Sequence, residues 1–270
     1  MGRIGVGCQT YTWEMLGKEW KGTVEDMLAA IAEAGYQGVE ITNSMLGPII
    51  KNPDAFRKSL GAHRLAFPSL GFVPRESVTD EKCMKDELQR AGEGIEFVSR
   101  FPGCRMDLAG GSSPDRENLQ QKFKTMCVFY NEVAVLADKK GVPVDVHPHS
   151  HHGSIIETAD EYEKLMALTD PALVGWCPDS GHIVRGGLDL LGTLRKYSGR
   201  IRNIHLKDAD AAGKWRPLGE GICDFAGVMK FLEEIGYSGW IIGEEESPEA
   251  FQDQRAAIAK NRKYLRTLGY

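Results

Sequence analysis

The chain has 270 residues, 42% of them hydrophobic, enough to bury one substantial core, and α/β barrels of this length commonly form one domain. Its 33 Lys+Arg against 38 Asp+Glu leave a formal charge of −5, which offers no overall positive field to nucleic acid or an acidic membrane. No apolar run reaches the ~18 residues of a membrane span. Met1-Gly2-Arg3 lead straight into strand-like sequence without a secretory apolar stretch, and the six scattered cysteines contain no CxxC, so a cytoplasmic protein with free thiols is expected.

Short apolar or alternating runs bounded by turn residues predict eight strands, at 4–11, 38–42, 65–71, 104–109, 142–147, 173–177, 201–205 and 240–244. Helical patterns lie between them. Val24, Met27, Leu28 and Ile31 recur at i, i+3, i+4 and i+7, and so do Val228, Phe231, Leu232 and Ile235. Repeated βα units imply parallel strands with right-handed crossovers, and eight of them predict a (β/α)8 TIM barrel forming a single domain over 1–270. An open doubly wound sheet would carry GxGxxG after its first strand, and Gly7-Cys8-Gln9-Thr10-Tyr11 does not.

In such barrels the chemistry sits at the C-terminal ends of the strands. His147, His205 and Glu244 end three of them and Asp179 follows Trp176-Cys177-Pro178 at the end of a fourth, and period-two alternation turns these residues toward the axis while Val144, Val146, Ile204 and Ile241 face the helices. Six of the seven histidines fall between positions 147 and 205, four of them in His147-Pro148-His149-Ser150-His151-His152. Imidazoles and carboxylates without thiolate form a metal-ligand set suited to Mn²⁺ first, and to Co²⁺, Mg²⁺ or Zn²⁺.

Further candidates surround this set. His149, His152, His182 and Glu244 are candidate acid–base groups. Glu40, inward on the second strand, either binds a sugar hydroxyl or holds a neighbouring side chain. Lys207 binds a substrate oxygen and Asp208 orients a ligand, or the two make a surface ion pair. Glu246 shares the parity of Glu244 and is the fallback ligand. Trp13 and Trp215 fall in predicted loops, where an indole covers the apolar face of a sugar or simply packs. Gly110-Gly111-Ser112-Ser113 precede a helix as either a phosphate cradle or a turn.

Taken together, His147-Pro148-His149, Pro178-Asp179-Ser180-Gly181-His182, Ile204-His205-Leu206-Lys207-Asp208, Gly219 to Asp224-Phe225 and Gly239-Trp240 to Glu244 resemble the xylose-isomerase-like sugar isomerase/epimerase superfamily. The resemblance spans nearly the whole chain and is nearest to inosose dehydratase-like members. It implies a divalent metal held by His147, Asp179, His205 and Glu244, a carbohydrate or cyclitol substrate, and is consistent with a homo-oligomer. Where epimerases of this group place a catalytic glutamate, this chain has His147, so an imidazole is the expected base.

The expected chemistry is proton abstraction beside a metal-polarised carbonyl, ending in dehydration, isomerisation or epimerisation, with elimination favoured because the paired carboxylates of the epimerases are missing. A β-elimination lyase on 3-keto-glycosides is the related alternative. An abasic-site endonuclease shares the fold but needs further histidines from the early strands, which have none. A non-catalytic sugar- or metal-binding barrel is the remaining class.

Overall fold

A computed structural model describes residues 4–270; residues 1–3, read above as leading into the first strand, lie outside them. The predicted strands appear as β1 (Gly5–Gln9), β2 (Gly38–Thr42), β3 (Ala66–Phe72), β4 (Arg105–Ala109), β5 (Val144–His147), β6 (Val174–Trp176), β7 (Ile204–Leu206) and, after a small hairpin of β8 (Asp208–Ala209) and β9 (Trp215–Arg216), β10 (Trp240–Gly243). All eight long-range partners run parallel in the order β6-β5-β4-β3-β2-β1-β10-β7. Parallel bridges Trp176↔Ile201 and Asp179↔His205 join the two ends of the sheet, giving the expected (β/α)8 barrel. The seam between β6 and β7 is sparse because β6 runs into Cys177-Pro178, and proline has no N–H for the ladder; His205 N–H instead donates to the Pro178 carbonyl at 2.8 Å.

Helices wrap this sheet, and their starts are written locally. Thr23 and Thr158 open Val24–Ala34 and Ala159–Leu168 with reciprocal capping boxes to Asp26 and Glu161. Helix Phe225–Glu234 buries Val228, Phe231 and Leu232 as the 3.6-residue period demands, whereas Ile235 falls just past the helix and is exposed. The apolar core lies between strands and helices: Val39 and Ile41, Met106 and Leu108, Val144 and Val146, Ile204 and Leu206 are all buried there. The inner face of the same strands is polar, with Gln9, Glu40, Ser69, Asp107, Asp145, His147, Asn203 and His205 buried along it. Among the described residues no helix is long and apolar enough to cross a membrane.

Candidate active site

The bridge between Asp179 and His205 sets two candidate ligands side by side, and the pairing of Ile242 with His205 leaves Glu244, two residues on, with its carboxylate 2.7 Å from the His205 ring. On the far side of β6, His147 ends β5. One donor atom from each of His147, Asp179, His205 and Glu244 lies within 4.8 Å of the others, and all four residues are buried.

Two atoms of this set have no partner. His147 Nδ1 and Asp179 Oδ2 are shut from solvent without a hydrogen bond, although such groups are ordinarily satisfied when buried. The other Asp179 oxygen accepts from the His182 amide at 2.8 Å and caps the helix Ser180–Arg185. Burial and the nearby Glu244 push the Asp179 carboxyl up to about 7. Burial drives His147 well below the usual imidazole range, leaving it neutral. Orphaned donors beside clustered carboxylates fit a divalent cation, which would satisfy both atoms and draw Asp179 into its charged form. Cys177 also approaches His147 and His205, and burial raises its thiol well above its ordinary value, so that it is protonated in the absence of a cation.

His205 stands between two carboxylates, with Nδ1 2.7 Å from Glu244 Oε2 and Nε2 3.0 Å from Glu40 Oε2. Despite burial, Glu40 raises its pKa well above the ordinary value, so binding a cation through one nitrogen costs it a proton. Glu40 is itself held by Gln9, Ser69 and Asn203. Beneath it, burial and the Glu40 charge push Asp107 well above the carboxylate range, and Asn203 Nδ2 donates to Asp107 Oδ2 at 2.7 Å. Of the two roles expected for Glu40, holding a neighbouring side chain is the one its contacts describe, although it also borders the cavity.

A cavity of about 470 Å³ opens over this cluster, bordered by His149, His152, His182, Trp215 and Glu246. The ring of His149 lies 4.7 Å from that of His147 and 4.9 Å from that of His182, and burial pushes its pKa down to about 4. His182 Nδ1 accepts from the Ser150 amide at 2.9 Å, so a neutral ring carries its proton on Nε2; burial and then Lys207 hold it neutral. His152 is exposed at the rim with a positive φ of 50°.

Several expected roles do not match the placement. Trp13 is only 2% exposed, packs against Trp20 with centroids 6.2 Å apart and is not among the residues bordering the cavity, so it is a core indole. Lys207 is 1% exposed, neither at the surface nor bordering the cavity; its ammonium lies 3.0 Å from Glu244 Oε1, bonds Glu246 as well, and sits 4.0 Å from the Trp215 centroid. Against the burial that would raise it, Lys207 and then His205 hold Glu244 well below the carboxylate range. Asp208 touches no ligand: it accepts from the amides of Gly219, Gly221 and Cys223 at 2.9–3.1 Å and shapes that loop. Gly110–Ser113 do not cradle a helix start, since the next helix begins after Asn118; the Ser113 amide donates to Gly153 and ties down the histidine loop. Gln9, Ser69, Asp107 and Asn203 share the inward parity of Glu40 and His205 and are buried with them, and alternation along their strands is the signal that points to them.

A family model described as xylose isomerase-like TIM barrel matches residues 28–268. The chain belongs to this family. Within reach of it, an inosose dehydratase from Clostridium beijerinckii is 30% identical, over 93% of this chain and 91% of its own. Two solved structures share the family's fold at low identity. One is an IOLI protein with a binding zinc atom, TM-score 0.80, 18% identical and covering 98% of both chains. The other is a probable 3-DHS dehydratase, AsbF, from Bacillus anthracis, TM-score 0.78, 13% identical over 97% of this chain and 99% of its own.

Proposed function

We propose that this protein is a divalent-metal-dependent enzyme that removes a proton beside the carbonyl of a keto-sugar or keto-cyclitol, with loss of a β-hydroxyl as the favoured outcome. The observation that carries this reading is the buried convergence of His147, Asp179, His205 and Glu244 around two unpartnered polar atoms. The similarity to an inosose dehydratase over nearly the full chain supports the same class of substrate.

These four residues would hold the cation, with Mn²⁺ the first choice from an imidazole–carboxylate set and Co²⁺, Mg²⁺ and Zn²⁺ compatible. When bound, such an ion supplies Lewis acidity that polarises a carbonyl and acidifies the neighbouring C–H. Glu40 accepts the Nε2 proton of His205 and thereby reserves Nδ1, on the Glu244 side, for ligation. His149, neutral and at the cavity wall, takes the proton from carbon. His182, at the cavity wall with its Nε2 3.4 Å from the Lys207 ammonium, hydrogen-bonds a substrate oxygen and keeps its proton. Departure of the β-hydroxyl with the proton that His149 collected then completes the loss of water. Glu244 is held ionised by Lys207 and His205, which suits a ligand better than a group returning protons for epimerisation. His152, at the rim, contacts a peripheral hydroxyl.

Incubation of metal-loaded enzyme with inososes and with neutral, acidic and phosphorylated keto-sugars in D₂O tests this. Solvent deuterium in recovered substrate and an unsaturated product are expected; neither one across the panel, with metal bound, would overturn it. Val73 and Arg75 also border the cavity, and space there for an aglycone favours 3-keto-glycosides as a second substrate class, the aglycone oxygen leaving with the proton that His149 collected.

A further inference from the structure

Arg185 ends the short helix that Asp179 caps, and its side chain reaches the wall of the same cavity. Its Nε and Nη1 are buried without a hydrogen bond, a condition that no other arginine shares among the described residues. Arg90, Arg105, Arg116 and Arg216 each hold a carboxylate; Arg185 has none within ion-pair distance among those residues.

What covers it is the β8–β9 hairpin. The guanidinium carbon lies 4.5 Å from the Trp215 centroid, and a Cβ on Gly213, at the hairpin turn, would stand 3.4 Å from Arg185 Cγ. Asp210 braces that turn, accepting from the Ala212 and Lys214 amides at 3.0 Å and from the Arg216 guanidinium at 2.8 Å. An indole face attracts a cation but accepts no hydrogen bond in the ring plane of the guanidinium. The carboxylates nearby are already engaged, Glu157 with His151 and Glu244 and Glu246 with Lys207. A half-covered guanidinium in this position lacks an acceptor, and the strongest acceptor for its planar donor array is an oxyanion.

We propose that Arg185 receives a carboxylate or phosphate substituent of the substrate, so that the ketone handled by this protein is a sugar acid or a phosphate ester rather than a neutral polyol. The His182 and Trp215 rings stand between Arg185 and the four-residue cluster, so Arg185 decides specificity and does not touch the reacting carbon. The assignment of the substrate rests on the proton-abstraction reading above; the anion site itself rests on geometry.

Calorimetric titration of the metal-loaded protein with inorganic phosphate and, separately, with D-glucuronate tests the site and distinguishes the two kinds of anion. The wild type is expected to bind at least one probe. Arg185→Met should weaken that binding about tenfold or more, and Arg185→Lys, which keeps charge but loses the planar donors, by less. Arg195→Met, an exposed arginine that does not border the cavity, should leave it unchanged. Binding of neither probe by the wild type, or equal binding by Arg185→Met, overturns the proposal, and the latter is what an anion held only by the metal would give. Thermal unfolding checks the fold of each variant, and Arg185→Lys carries the test if the methionine variant does not fold.

Matched neutral and acidic ketones in D₂O separate this inference from the one beneath it. Exchange confined to neutral ketones and indifferent to Arg185→Met overturns the anion site and leaves proton abstraction intact. Arg185-dependent anion binding without exchange from any ketone overturns proton abstraction and leaves the anion site.

Discussion

Val39 and Ile41 of β2 point to the helices and are wholly covered by apolar neighbours, while Glu40 between them is as deeply buried but surrounded by Gln9, Ser69, Asn203 and His205. The same contrast recurs on β5, where Val144 and Val146 flank Asp145 and precede His147. One face of each strand is thus an ordinary hydrophobic contact, worth about 25 cal/mol per Å² removed from water. The other is a hydrogen-bonded network of buried charges, which by itself is poor evidence for stability. Barrel interiors are usually filled by branched aliphatic side chains. Here that filling is exchanged for polar groups whose donor atoms fit a cation, and the outer layer holds the fold.

Substitutions on the two faces should therefore fail in different ways. The largest effect is expected from Asp179→Ala, which should abolish metal retention and reduce turnover by about 10³-fold or more without unfolding the protein; elemental analysis and kinetics check this, and full activity with full metal content would break the contrast. On the opposite face, Ile41→Ala should cost about 2–5 kcal/mol in denaturant unfolding yet leave kcat/KM of the surviving folded protein nearly intact. His149→Asn should lower the rate of deuterium exchange by about 10²-fold while metal content is retained. Glu40→Gln should weaken metal affinity by about 10- to 100-fold in competition with a chelator, because His205 loses the charged carboxylate that orients it and fixes its tautomer. Least affected is Trp13→Phe, where a shift in melting temperature with unchanged KM is expected, since this indole fills the core and not the cavity.

Much of the site was legible because alternation along a strand is rigid. With a period of two, naming one outward aliphatic residue assigns its neighbours inward, and His147, His205, Glu244 and Glu40 followed from that rule. The same rule applied to β1, β3, β4 and the approach to β7 would have found Gln9, Ser69, Asp107 and Asn203. Residues after the strands obeyed no such rule. The sequence around Lys207 suits a surface or substrate-facing cation, yet β7 continues through a tight hairpin that folds Trp215 over it. Asp208 faced a loop of backbone amides eleven to fifteen residues further on, a partner with no side-chain signature.

Local pattern alone determined the number and order of βα units, the helix starts at Thr23 and Thr158, and the inward face of each strand, because these depend on residues a few positions apart. Which groups meet was decided by closure of the sheet. Asp179 and His205 are neighbours only because the first and last strands of the sheet join at Pro178, and Arg185 lacks an acceptor only because a hairpin about thirty residues later covers it. Such encounters depend on register and loop path, which carry no period in the chain.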